Sequence, residues 1–105
     1  MSELLDKQHK FSLMIAKLIC YAYAIGYKIT LGEGYDDDNT GHMKGSLHYI
    51  KLAQDINLFK DGVHLQGKEA EQAHTLLHDY WDNLGGAERI PKDLNHYSLE
   101  HGGKR

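Results

Sequence analysis

Two short stretches of this chain carry the side chains that can do chemistry. Residues 46–55 (Ser-Leu-His-Tyr-Ile-Lys-Leu-Ala-Gln-Asp) hold one imidazole and one carboxylate, His48 and Asp55. Residues 93–97 (Asp-Leu-Asn-His-Tyr) hold another of each, Asp93 and His96. Two neutral imidazoles and a carboxylate, from His48, Asp55 and His96, form a donor set that suits zinc. A catalytic zinc ordinarily takes three protein ligands and keeps its fourth position for water. Asp93 is then the carboxylate left over, close to the metal but off it, where it can act as a general base. The spacing permits this without requiring it. His48 and Asp55 would point to opposite faces of one unbroken strand, because side chains alternate. They can meet only if His48 lies in a turn ahead of the strand, or if a bulge intervenes. Gly45-Ser46 makes the turn plausible, and a loop preceded by Pro91 can aim Asp93 and His96 at one point.

The elements that must position these groups follow from periodicity. Ser2 caps a helix running to residue 23 or 24, with Leu4, Phe11, Ile15, Leu18, Ala22 and Ile25 along one face and Gly26 as its stop. Residues 27–31 alternate and include β-branched side chains, which predicts a strand. The loop over 32–45 is rich in glycine and acid. Residues 49–59 alternate as a second strand. Ile50, Leu52, Ile56 and Leu58 face the helices, while Lys51, Ala53, Asp55 and Asn57 line an open cleft in which small Ala53 leaves space beside Asp55. Asp61-Gly62 signals a hairpin into a short strand over 63–65. A second helix spans 68–84 with Ala70, Ala73, Leu77, Tyr80, Trp81 and Leu84 buried, and Gly85-Gly86 ends it. A last strand covers 95–99, and the tail from His101 frays. This order predicts an α+β domain over residues 1–105, a small antiparallel sheet packed with two main helices.

Other candidate groups carry less. The chain has eight histidines. His74 and His78 lie one helical turn apart, but Thr75-Leu76-Leu77 stands between them, without the glutamate of the helical His-Glu-x-x-His peptidases. They read as two histidines at the edge of a buried face. Asp36, Asp37 and Asp38 read as a solvated acidic loop rather than a calcium site. His42 and His64 have no assigned role, and Cys20 reads as a small apolar residue buried on the first helix.

Bulk properties exclude several classes. A chain of 105 residues has room for one modest core. With 41% hydrophobic and 26% charged residues it is expected to be a globular domain, and a net charge of −3 disfavours nucleic acid as a partner. One cysteine allows no disulfide within the chain. The most apolar stretch, residues 11–27, carries Lys17 and is short for a membrane span, while Glu3 and Asp6 stand where a signal peptide would be basic. The expectation is a monomer made in cytoplasm without a signal peptide and without stable membrane insertion.

Residues 46–55 together with 93–96 resemble the zinc signature of the D-Ala-D-Ala carboxypeptidase and L-alanyl-D-glutamate endopeptidase family. That family includes many phage endolysins and shares the fold of the Hedgehog signalling domain. The likeness runs from about residue 27 to residue 100. The family pattern is Ser-x-His, six residues, then Asp, followed later by an acid, two residues and His. Carried across, it implies His48, Asp55 and His96 as zinc ligands and Asp93 as catalytic base. Tyr97 matches the aromatic after the second histidine, and Trp81 with Gly85-Gly86 resembles the helix end before the last loop. The resemblance implies a Hedgehog/DD-peptidase-like fold and a zinc metallopeptidase acting on the peptidoglycan stem peptide. As a phage or prophage endolysin it would be made in the host cytoplasm and act on the cell wall. Either L-Ala-D-Glu or D-Ala-D-Ala could be the bond cut. Two positions depart from the pattern. Lys51 stands where the family commonly has glycine, and no arginine lies between Lys28 and Gly45 to hold substrate. Lys44 or Lys51 would then clamp a substrate carboxylate as a point charge. The competing expectation is a non-catalytic, zinc-stabilised module that binds cell wall or a protein.

Overall fold

Ser2 opens helix α1 (Glu3–Ala24) by accepting a hydrogen bond from the Leu5 amide at 3.1 Å. Glu3 and Asp6 place negative charge against the positive end of its dipole. The computed structural model describes residues 2–35 and 47–105. The Asp36–Asp38 acidic loop, His42, Lys44 and the Gly45-Ser46 turn therefore lie outside the described residues. Phe11, Met14, Leu18 and Ala22 form the buried stripe of α1. Met14 takes a core place, Ile15 is only partly buried, and Ile25 is exposed. Cys20, expected inside, is exposed as well. Gly26, at φ 100, turns the chain out of the helix into strand β1 (Lys28–Leu31).

Strand β2 (Ala53–Lys60) is the spine of a four-stranded antiparallel sheet. It pairs with β1 from Lys28↔Phe59 to Leu31↔Ile56 and with β3 (Val63–His64) through Phe59↔His64. It pairs with β4 (His96–Ser98) through Ala53↔Ser98, Gln54↔Tyr97 and Asp55↔His96. The β2–β3 turn has Asp61 at φ 53 and Gly62 at φ 78, the two left-handed residues that a tight primed hairpin requires. Asp55 bonds through its backbone to Gly32 and Glu33 on the β1 side. Ile56 and Leu58 bond through theirs to Asn95 and Leu65. Residues of a strand alternate in the edge their backbone groups face, so β3 and β4 share the other edge of β2, with a notch between them.

Helix α2 (Gly67–Asn83) packs with α1 over one face of this sheet. Ala73, Leu77 and Trp81 join Phe11, Leu18, Leu52, Ile56, Leu58 and Tyr97 in one core. Trp81 is fully buried, and its indole N–H donates to the Ser98 carbonyl at 2.9 Å, tying α2 to β4. Gly86 passes so close to that indole that any side chain there would collide with it. Gly86→Ala is accordingly expected to destabilise the fold by about 1–3 kcal/mol, the usual cost of forcing a methyl into a packed core. A denaturant melt checks this.

Two further expectations are corrected. The strand does not begin at residue 49: Leu47–Ile50 form a 3-10 helix, Lys51 turns at φ 59, and β2 starts at Ala53. Buried Leu47 and Leu52 are joined by the Leu52 N–H to Leu47 carbonyl bond (3.0 Å), and Gln8 of α1 donates to the Ile50 carbonyl (2.8 Å). Packing against α1 thus overrides the local alternation. The tail is also tied down, through a His101↔Lys104 bridge and Lys7 Nζ against His101 and the Glu100 carbonyl. The molecule is a small α+β domain with two helices and a small antiparallel sheet, as the element order predicts. No described helix is long and apolar enough to cross a membrane.

Candidate metal centre

The 3-10 helix aims His48 back toward the strand that follows it. The ring is buried, and Nδ1 lies 2.9 Å from the Gly34 carbonyl. A carbonyl only accepts, so Nδ1 carries a proton, and in the neutral ring the lone pair is on Nε2. Metal-ligating histidines are commonly set in their tautomer by this kind of bond. That lone pair faces Asp55, with Nε2 3.4 Å from Oδ1. His96 approaches the same oxygen from β4, its Nδ1 3.3 Å from Oδ1, because Asp55 and His96 are cross-strand partners. The two imidazoles meet edge to face, with ring centroids 5.1 Å apart.

Asp55 Oδ1 is buried yet makes no hydrogen bond with either ring. Two imidazole nitrogens thus converge on one buried carboxylate oxygen that has no hydrogen-bond partner, and a buried polar atom without one is costly. Two ligand atoms bound to a tetrahedral zinc at about 2.0–2.1 Å stand about 3.3–3.4 Å apart. The observed separations fit a shared cation, and His48, Asp55 and His96 can hold a metal ion. His96 Nε2 is buried without a partner, so packing rather than a second hydrogen bond orients that ring.

Asp93 reaches the centre through consecutive backbone turns. Its N–H bonds the Ile90 carbonyl (2.8 Å), and the His96 N–H bonds the Asp93 carbonyl (3.0 Å). This closure brings Asp93 Oδ2 to 4.0 Å from His96 Nδ1, with the Asp93 side chain 52% exposed. Asp93 stands at the open rim, outside the three-residue group.

His74 and His78 are not at the edge of a buried face but within it, at 6% and 0% exposure. His78 Nε2 donates to the Leu94 carbonyl at 2.7 Å, and its ring stacks on Tyr97 at 4.1 Å. It therefore pins the segment between Asp93 and His96. His74 Nδ1 lies 2.7 Å from the Tyr97 hydroxyl. Burial, with His78 and His64 nearby, pushes the His74 pKa down to about 4. Burial raises the Tyr97 phenol well above its ordinary value. The sequence signal was their spacing with Leu77 and Trp81, which places all four on one helical stripe.

Charge in the centre is tightly coupled. Burial alone would raise the Asp55 pKa, but His48 and His96 outweigh it and hold it at about 2. Burial would lower His48, but the Asp55 carboxylate and Gly34 carbonyl raise it above 6.5. In the metal-free chain the Asp55 contribution to stability is complete above 3.8 and is lost as pH falls toward 2. The His48 contribution is complete below 6.5 and is lost as pH rises through its raised value. The pair therefore stabilises the metal-free fold most between 3.8 and 6.5. A metal must displace the His48 proton. Its apparent affinity should fall about tenfold per pH unit below the folded His48 pKa. Calorimetry in buffers of different ionisation enthalpy reads that proton release directly.

Fold and site together define a small α+β domain with a two-histidine, one-aspartate group that could hold a metal ion. No protein-family model, curated protein or solved structure matches the chain.

Proposed function

We propose that this chain is a zinc-dependent peptidase cleaving the stem peptide of bacterial peptidoglycan, on a Hedgehog/DD-peptidase-like fold. The observation that carries the reading is the meeting of His48, Asp55 and His96 around one unsatisfied carboxylate oxygen, with Asp93 beside it at the solvent rim. Lys51 adds support. It takes a left-handed turn at φ 59, a conformation that favours glycine, at the position where the resembled family carries glycine.

Zinc, when bound, would polarise the scissile carbonyl and lower the pKa of water towards neutrality. The residues of this chain do the rest. His48, fixed by Gly34, and His96, carried on β4, orient the centre, and Asp55 supplies the anionic ligand. Asp93, hydrated and free of the ligand group, accepts a proton from the attacking water and returns it to the leaving amine. His78 keeps the Asp93 and His96 backbone in register through Leu94. The setting this reading implies is a phage or prophage endolysin, made in the host cytoplasm and acting on the cell wall. The experiment is digestion of purified peptidoglycan with mass analysis of the released fragments. Cleavage after L-alanine marks the endopeptidase and loss of terminal D-alanine marks the carboxypeptidase. Intact stems under zinc-loaded protein would refute both.

A further inference from the structure

The notch between β3 and β4 is a cavity of about 410 Å³, within the range of about 300–1,000 Å³ typical of small-ligand sites. It adjoins the metal centre on three counts. Asn57 follows Asp55 by two residues on the same face of β2, Lys92 precedes Asp93, and Asn95 precedes His96. Its other polar walls are His64, Gln66, Glu71 and His74.

His74 gives the notch its chemistry. The Tyr97 hydroxyl is fully buried, and His74 Nδ1 is its hydrogen-bond partner at 2.7 Å. A buried phenol must place its proton on an acceptor. Tyr97 therefore donates to Nδ1, and the neutral imidazole carries its own proton on Nε2, the ring nitrogen left for the notch. The His74 and His64 rings, three carboxamides (Asn57, Gln66 and Asn95), one ammonium (Lys92) and one carboxylate (Glu71) thus line one cavity. No ion pair joins Lys92 to Glu71 among the described residues, so each charge remains available to a ligand.

We infer that this notch is a subsite for a zwitterionic α-amino-acid group, an ammonium and a carboxylate on one carbon, carried by the peptide next to the bond cut. Lys92 with the His74 N–H takes the carboxylate, and Glu71 takes the ammonium. The notch is separate from Lys51, whose ammonium lies over the Tyr35 ring, 4.9 Å from its centroid. Its place beside the reacting bond rests on the peptidase reading; its ligand chemistry does not.

The test titrates isotope-labelled, zinc-loaded protein with alanine, N-acetylalanine and alaninamide, each in both enantiomers, and follows the His74 ring and the Asn57 and Asn95 side-chain amides by NMR. Alanine should shift all three residues. Each masked probe should bind about tenfold more weakly, as loss of one charge-assisted hydrogen bond predicts. Lys92→Met should erase the discrimination against alaninamide, and Glu71→Gln that against N-acetylalanine. Equal binding of the three probes, no shift at His74, or unchanged discrimination in both variants overturns the subsite. Peptidoglycan digestion separates the two ideas. Cleavage without probe binding sinks the subsite alone, whereas binding without cleavage sinks the peptidase reading and leaves the subsite standing.

Discussion

Asp55→Ala should abolish stoichiometric zinc binding. Asp55 Oδ1 is the atom that both imidazoles approach, at 3.4 Å and 3.3 Å, and it is the one anionic donor of the group. Removing even a residue that merely supports a metal ligand commonly costs about 10–100-fold in affinity, so loss of a ligand is expected to exceed about 100-fold. The substitution also removes the charge that keeps His48 protonatable, and burial then pulls that imidazole toward its neutral form. Metal analysis after gel filtration reads the first effect. Chelation reads its consequence for stability: the parent's melting temperature should drop when zinc is withdrawn, because a ligand that binds only the folded state stabilises it. The variant should not respond. Full zinc occupancy in Asp55→Ala would show that the metal sits elsewhere.

Asp93→Asn should separate binding from catalysis. The Asp93 carboxylate is 52% exposed and lies 4.0 Å from His96 Nδ1, outside the group that can hold the metal. An exposed, isosteric change of this kind usually alters stability by no more than about 0.5 kcal/mol, and zinc content should be unchanged. Loss of a general base typically lowers rate by about 10²–10⁴-fold, and peptidoglycan hydrolysis should fall within that range. If the variant digests walls as fast as the parent, another group is the base. Should the zinc-loaded parent itself leave walls intact while retaining the metal, the centre is a stabilising one, and the non-catalytic binding module is the better description.

Much of the scaffold around these residues was legible because its causes are local. The Ser2 cap, the Gly26 stop, the Asp61-Gly62 hairpin and the extents of both helices each depend on a few neighbouring residues and their backbone preferences. The apolar stripe of α2 was partly legible. Apolarity marks Ala73, Leu77 and Trp81 as buried, whereas nothing in residue type marks His74 and His78 on the same stripe, which are buried too. Composition cannot tell a polar ring that finds a buried partner from one left in water. The partners, Tyr97 and the Leu94 carbonyl, are distant in sequence.

By itself the sequence determined which side chains could ligate and which could act as base, because donor chemistry belongs to residue type: His48, Asp55, His96 and Asp93. It also posed a conflict, since strand parity sends His48 and Asp55 to opposite faces. Only the tertiary structure resolved that conflict. Helix α1 braces the Ile50 carbonyl through Gln8, and buried Leu47 and Leu52 close around a 3-10 turn. Lys51 absorbs the reversal in a left-handed conformation. The register of β4 on β2 then sets His96 opposite Asp55. Convergence of this kind depends on long-range packing, in which burying apolar side chains offsets the cost of an unfavourable local turn, and that balance is not written in the spacing of the ligands.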